Sequence, residues 1–167
     1  SRVALSTITP DYFKVMNTPL LSGRTFTDRD RADSPLVAII SDNVAQQHFP
    51  DENPIGQRIA LARNNNERVW HEIVGVVGNI RLQGPAQEAT PGIYYPWSQY
   101  RTLRHPKILV RPRPGTPHVG RIVAEAVQRV DISMPIEIPL PTLGEFNGYT
   151  IAPQRYTLFL FGVFSGF

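Results

Sequence analysis

Histidines are the side chains in this chain best suited to metal binding or proton transfer. Their spacing does not predict a metal site. The sequence has four of them, and no His-Glu-x-x-His segment is present. His71 and Glu72 are neighbours on a predicted strand, where successive side chains point to opposite faces, so the two cannot share a metal ion. We interpret His48, on the inner side of a predicted helix, as a packing residue. The remaining two histidines are His105 and His118.

Motifs for nucleotide, acyl or thiol chemistry are also missing from the sequence. The segment Gly75–Gly78 lacks the third glycine of a dinucleotide-binding loop and is not followed by a predicted helix. There is no Walker A sequence and no Gly-x-Ser-x-Gly, and the chain contains no cysteine. We therefore predict that the chain is not an enzyme. We assign no catalytic, cofactor-binding or metal-binding residues, and we expect no cofactor.

The charged segment 27–34 resembles a calcium loop only superficially. Its three aspartates alternate with arginines, whereas a calcium loop needs oxygen ligands at fixed positions, a glycine and a terminal glutamate. We interpret the segment as a solvated surface loop.

Four aromatic residues leave two interpretations open. They either line a ligand groove or fill the core of a β-rich region, and we favour the core because aromatic side chains suit a pleated surface. An exposed aromatic patch would instead indicate a partner surface. The four residues are Trp70, Tyr94, Tyr95 and Trp97.

Composition narrows the class of protein further. The chain has 17 basic and 14 acidic residues, a net charge of +3, and the charges are scattered instead of clustered among aromatic residues. We therefore predict no binding to nucleic acid. Sixteen prolines favour many turns and short elements over a helical bundle.

The first predicted unit is a strand followed by a short helix. Val3 and Leu5 alternate with smaller or polar residues, as in a strand. Thr9 is the predicted N-cap of the helix, with Pro10 at its first position, and Asn17 is predicted to end it.

The second predicted unit is also a strand followed by a helix, and antiparallel strands come after it. The apolar run 36–40 predicts a strand buried on both faces, and Ser41 is predicted to cap a helix at 42–49. The segment 55–80 predicts antiparallel strands with a turn at 64–66, where asparagines tolerate left-handed backbone angles.

The last part of the chain predicts two further strands and two further helices. A buried-type strand is predicted at 107–111 and a loop at 112–117. The clearest helix is 119–130, whose apolar residues form a single stripe. A closing strand at 136–138 and a capping box at 142–145 follow.

Together these elements predict an α+β fold with two subdomains. Residues 1–53 and 99–150 form the first, and 54–98 form an inserted β-rich subdomain. The uncharged run 156–167 has twelve residues, fewer than the ~20 that cross a bilayer. We interpret 151–167 as the start of a transmembrane helix, with a buried strand or helix of a soluble protein as the alternative.

A series of short motifs resembles a known family over nearly the whole chain. In order, the sequence resembles characteristic segments of the MacB-like periplasmic core domain of FtsX/MacB-type ABC transporter permeases, and is closest to the duplicated permeases of acidobacteria and their relatives. The segments that carry the resemblance are 9–16, 19–26, 39–43, 49–50, 51–58, 72–79, 93–96 and 153–155.

The resemblance implies a location and a role. Such a domain lies in the periplasm or extracytoplasmic space, between the first two transmembrane helices of a permease in the bacterial inner membrane. It has a porter-like subdomain and an inserted β-rich one. A separate cytoplasmic ABC ATPase drives the permease, and the extracytoplasmic domains move together and apart in response, a mechanism called mechanotransmission.

The resemblance also sets what we expect of partners. The non-catalytic domain would transmit ATP-driven change and bind partners or substrate in efflux or export, with a second permease half or a periplasmic adaptor as further partners. The alternative is a periplasmic ligand-binding or sensor domain. Members of the family often carry an acid near Asn43 and Asn79, where this chain reads Asn43-Val44 and Gly78-Asn79.

Overall fold

The computed structural model describes residues 3–62, 68–80, 89–100 and 108–130. These residues contain six strands and three helices, so the α+β fold class is confirmed. In chain order the elements are β1 (Ala4–Ile8), α1 (Tyr12–Met16), β2 (Leu20–Gly23), β3 (Val37–Ser41), α2 (Asp42–His48), β4 (Arg58–Ala62), β5 (Arg68–Val77), β6 (Gly92–Pro96) and α3 (Val119–Val130).

The strands form one mixed sheet in which β5 has the most neighbours. The order is β1-β6-β3-β5-β2, and β4 also pairs with β5. The β1–β6 and β3–β5 pairs are parallel and the others are antiparallel. One edge of β5 pairs with β3. The other edge is divided, because β4 pairs with residues 68–72 and β2 pairs with residues 75–77.

The close approach of β2 to β5 depends on two glycines that face each other. Gly23 and Gly75 are register partners, and the Arg24 N–H donates a 2.8 Å hydrogen bond to the Val74 carbonyl. A Cβ on Gly23, whose φ is +74°, would collide with the Val74 carbonyl oxygen, and a Cβ on Gly75 would collide with that of Arg24. Both positions therefore require glycine.

The sheet buries an apolar cluster on each face. Strand β3 is buried along its whole length, which confirms the prediction from the run 36–40. The α1 face is the side of the sheet that packs against α1, and the α2 face is the opposite side. The α1 face contains Ile8, Phe13, Phe26, Val37, Ile39, Val74, Val77, Ile80 and Tyr94. The α2 face contains Ala38, Ile40, Val44, Ile73, Val76, Ile93 and Tyr95.

Helix α1 begins later than the sequence predicts. Its N-cap is Asp11, not Thr9, because the Thr9 carbonyl accepts the Tyr12 N–H (3.1 Å) in a turn that precedes the helix. Its end is as predicted, since Asn17 has a left-handed φ of 54° and forms the C-cap.

The predictions for residues 107–130 have mixed outcomes. The predicted buried strand is wrong where it is described, because Ile108, Leu109 and Val110 lie outside any strand and are 68%, 38% and 50% exposed. An apolar run does not by itself provide a neighbouring strand. Helix α3 has the predicted bounds, but its apolar stripe is not uniformly buried: Val130 is 89% exposed.

Several predicted elements lie outside the described residues. They are the turn at 64–66, the strand at 136–138, the capping box at 142–145 and the membrane segment at 151–167. Among the residues that are described, no helix is long and apolar enough to cross a membrane.

The chain divides into two compact units. One comprises residues 1–81 and 88–110, and the other comprises 82–87 and 111–167. These bounds differ from those of the predicted subdomains, because β4, β5 and β6 of the predicted insert share a sheet with β1 and β3. The division into 1–53 with 99–150 and an insert at 54–98 stays a prediction.

The two facing glycines give a test of the sheet geometry. We expect Gly75→Ala to lower the free energy of unfolding by about 3 kcal/mol, since the new methyl group must displace backbone. Gly56→Ala is the control: its φ is +85° and an added Cβ would meet no atom within 4 Å, so the cost is backbone strain of about 1 kcal/mol. Urea unfolding measures both, and equal losses would contradict the close approach.

Candidate functional site

The histidines lie apart, in different environments. His71 is fully buried and its Nε2 contacts the Tyr100 hydroxyl, whereas Glu72 on the other face of β5 is exposed. The prediction that these two side chains diverge is therefore confirmed. His48 is exposed, so its predicted place on the inner side of α2 is wrong: the helix turns Val44 inward instead. His105 lies outside the described residues.

Metal-binding chemistry has no support within the described ranges. No group of three or more His, Cys, Asp or Glu side chains there is placed to hold an ion.

The four aromatic residues separate into core and surface. Tyr94 and Tyr95 are buried on opposite faces of the sheet, as predicted, and burial raises the pKa of both phenols. Trp97 is half-buried. Trp70 is 51% exposed, so its predicted core position is wrong. It lies on the part of β5 that extends beyond β3, where β4 is its neighbour in the ladder.

One ion pair joins the charged segment 27–34 to Arg24, and the carboxylate is its buried partner. Asp30 is 4% exposed, and its two carboxylate oxygens each accept a 2.8 Å hydrogen bond from the Arg24 guanidinium. The Thr27 N–H donates a third bond to this carboxylate at 2.8 Å. The interpretation of a wholly solvated loop is therefore wrong at Asp30, although Asp28 and Asp33 are exposed.

Two residues after β6 attach this loop to the sheet. The Ser98 hydroxyl donates to the Asp30 carbonyl. The Gln99 amide nitrogen donates to the carbonyls of Arg31 (3.2 Å) and Pro35 (2.9 Å), and its oxygen accepts the Val37 N–H at 3.2 Å. These contacts fix the position of the loop at the start of β3.

Electrostatics favour the charged forms of the pair. Burial on its own would raise the pKa of Asp30, but hydrogen bonds from Arg24 and Thr27, together with the Arg24 charge, hold the pKa of that carboxyl below its usual range. The hydrogen bond to Asp30 raises the pKa of Arg24 against the opposing effect of burial, and the negative charges of Asp30 and Glu72 add to the increase.

A half-open depression of about 270 Å³ lies beside this pair on the α1 face. Four charged side chains contribute to its wall, two positive and two negative, and three apolar residues form the rest together with Ser34. The charged residues are Arg24, Arg29, Asp30 and Glu72, and the apolar ones are Pro35, Val37 and Val74.

Asn43 and Asn79, the two positions where the family resemblance leads us to expect acids nearby, are bonded to each other. The Asn43 N–H donates to the Asn79 side-chain oxygen at 3.0 Å, so Asn79 satisfies a free N–H at the start of α2. Ser41 occupies the N-cap position as predicted, but its side chain does not cap the helix. Its hydroxyl instead accepts the Gly92 N–H at 2.8 Å.

Sequence reasoning missed the residues that define this region. Asp30 looks like Asp28 and Asp33 in the sequence, and the bonds of Gln99 reach residues 62 to 68 positions away. The single local signal is the spacing of Thr27 and Asp30, which suits a turn closed by a side chain.

The chain belongs to a class of non-catalytic domains of ABC transporter permeases that lie outside the cytoplasm. Over residues 1–125 its sequence matches the family described as the MacB-like periplasmic core domain, and the chain is a member of that family.

Three individual proteins are similar to parts of this chain. The Pyoverdine export ATP-binding/permease protein PvdT of Pseudomonas aeruginosa is 30% identical over 88 residues, which is 53% of this chain and 12% of that protein. The periplasmic region of MacB from Actinobacillus actinomycetemcomitans is 18% identical with a TM-score of 0.49, over 73% of this chain and 52% of that one. The extracellular domain of the noncanonic ABC-type transporter YknZ from Gram-positive bacteria is 25% identical with a TM-score of 0.41, over 57% and 44%.

The buried Asp30 carboxylate and its bonds to Arg24 predict a pH-dependent loss of stability. We expect Asp30→Asn to lower the free energy of unfolding at pH 7 by about 2 kcal/mol, through the lost charge-assisted hydrogen bonds. Because the folded-state pKa of Asp30 is depressed, its contribution is complete above the unfolded pKa of about 3.9 and declines as pH falls through the folded pKa. The difference between the variant and the native chain should therefore shrink below about pH 4.

The same loop provides the control. Asp33 is 82% exposed at its side chain and lies 3.9 Å from Arg31, so Asp33→Asn should change stability by less than about 0.5 kcal/mol. Thermal or urea unfolding at pH 7 and pH 3 measures both variants. Equal effects of the two substitutions at pH 7 would contradict the special role of Asp30.

Asn79 gives a second, independent test. We expect Asn79→Ala to destabilise the chain by about 1 kcal/mol, as the loss of a helix cap does. Asn79→Asp should be neutral or stabilising by up to about 1 kcal/mol at pH 7, because a carboxylate at the N-terminus of α2 interacts favourably with the helix dipole. Urea unfolding checks the order Asp, Asn, Ala, and an Asp variant as unstable as the Ala variant would refute it.

Proposed function

We propose that this domain transmits ATP-driven conformational change in an ABC export system of the bacterial inner membrane and binds partners or substrate outside the cytoplasm. The observation that supports the proposal is the family match over residues 1–125. A relative in this family combines ATP-binding and permease functions in pyoverdine export. The motor would be a cytoplasmic ABC ATPase, and a second permease half or a periplasmic adaptor would be the further partner.

The architecture supports a mechanical role. A sheet with an apolar cluster on each face deforms little, because protein interiors are close-packed. The chain also has two compact units. Because the predicted porter-like part (1–53 and 99–150) and insert (54–98) share this sheet, we propose that the sheet moves as one body, driven by a membrane helix that starts within 151–167.

A ligand-binding or sensor role is the second candidate. The observation that favours it is the half-open depression on the α1 face, whose wall carries both signs of charge.

Hydrogen exchange in the assembled transporter tests the mechanical role. In the full-length permease, reconstituted in a bilayer with its ATPase, we expect amides of residues 3–130 to change protection between the nucleotide-free and ATP-trapped states. A hydrolysis- and binding-deficient ATPase should abolish the change. The isolated chain with ATP is the second control and should show neither altered exchange nor hydrolysis.

Two results would contradict the proposal. One is identical exchange in both nucleotide states while transport proceeds. The other is robust ATP hydrolysis by the isolated chain, which would make the domain an enzyme.

A further inference from the structure

Two opposite charges in the depression make no ion pair with any residue that the structure describes. These are the guanidinium of Arg29 and the carboxylate of Glu72, both of which line the depression. Arg24, by contrast, is held by both oxygens of Asp30. Arg58 is the register partner of Glu72 on β4, but no ion pair within 4 Å joins them among the described residues. The charge of Glu72 also acts on Arg24, but the charge of Arg24 is balanced by Asp30. Arg29 and Glu72 are therefore the cation and the anion that the depression offers to a ligand.

The apolar part of the depression's wall is fixed in position. Val37 and Val74 belong to the core cluster of the α1 face, and Pro35 is held through its carbonyl by Gln99 at 2.9 Å. A preorganised wall reduces the entropy that binding costs. An apolar group placed here would lose part of its contact with water.

Trp70 extends this surface along β5. Side chains on a strand alternate, so Trp70, Glu72 and Val74 share one face. Trp70 is 51% exposed, and its cross-strand partner is the small residue Ala60, which leaves the indole open. On this face of β5, Trp70 is the residue next to Glu72, and an exposed indole suits a positively charged or apolar group.

We propose that the depression binds a short apolar peptide with free termini, whose carboxylate meets Arg29 and whose ammonium group meets Glu72. The volume of about 270 Å³ lies just below the range of roughly 300–1,000 Å³ usual for ligand pockets, which favours one or two residues over a longer chain. This site rests on the second candidate role, ligand binding, and names its ligand. It does not depend on the transmission of conformational change, because a mechanical domain operates with or without it.

Calorimetric titration of the intact chain with the dipeptide Leu-Ala tests the proposal. We expect saturable binding with a Kd between about 0.1 and 5 mM, as suits a half-open site. N-acetyl-Leu-Ala-amide, which has the same apolar body without terminal charges, should bind at least about tenfold more weakly. Free leucine, which has both charges on one carbon, distinguishes an amino-acid site from a peptide site, and we expect it to bind more weakly than Leu-Ala.

Three variants locate the binding. Arg29→Gln and Glu72→Gln should each weaken Leu-Ala binding about tenfold or more. Arg31→Gln is the matched control, because Arg31 lies in the same loop with its side chain 71% exposed and does not line the depression. Thermal unfolding of each variant without ligand confirms that its fold is retained, and amide chemical shifts in labelled protein should change around Val37 and Val74.

Three results would overturn the proposal. They are a failure of Leu-Ala to bind saturably at concentrations well above the upper expected Kd, equally tight binding of the blocked peptide, and amide shifts that are confined to another surface. Tighter binding of free leucine would also overturn it in favour of an amino-acid site. None of these outcomes bears on hydrogen exchange in the assembled transporter, so the two proposals fail separately.

Discussion

The division of one edge of β5 between two strands is the constraint on which this fold depends. Strand β4 pairs with the first half of β5 and β2 with the second half, while β3 occupies the opposite edge. β2 reaches this position because Gly23 and Gly75 lack side chains. The depression lies beside the end of β2, and Arg24, the residue after β2, contributes to its wall.

The loop beside the depression is held by contacts that are distant in sequence. Asp30 is bonded to Arg24, and Ser98 and Gln99 attach the loop from the end of β6. These bonds satisfy polar groups that would otherwise be costly to bury. Because the loop is tied to the end of β6, a movement of that end would alter the shape of the depression.

Part of the fold was predictable from short segments. The buried strand at 36–40, the end of α1 at Asn17 and the bounds of α3 were all predicted, because apolar periodicity and left-handed asparagines are local signals. The strand at 107–111 was predicted wrongly from the same kind of signal. An apolar run specifies a preference for burial, but it does not specify which neighbour will bury it.

The sequence by itself determined the family, the α+β class and the lack of recognisable catalytic motifs, since each follows from residue types in a fixed order. Tertiary structure decided which of three similar aspartates is buried, that Asn79 and not Ser41 caps α2, and that Trp70 is exposed. It also decided that strands of the predicted insert join the same sheet as β1 and β3. The physical reason is common to all four: each depends on hydrogen-bond or packing partners contributed by other parts of the chain, and the spacing of residues within one segment contains no information about them.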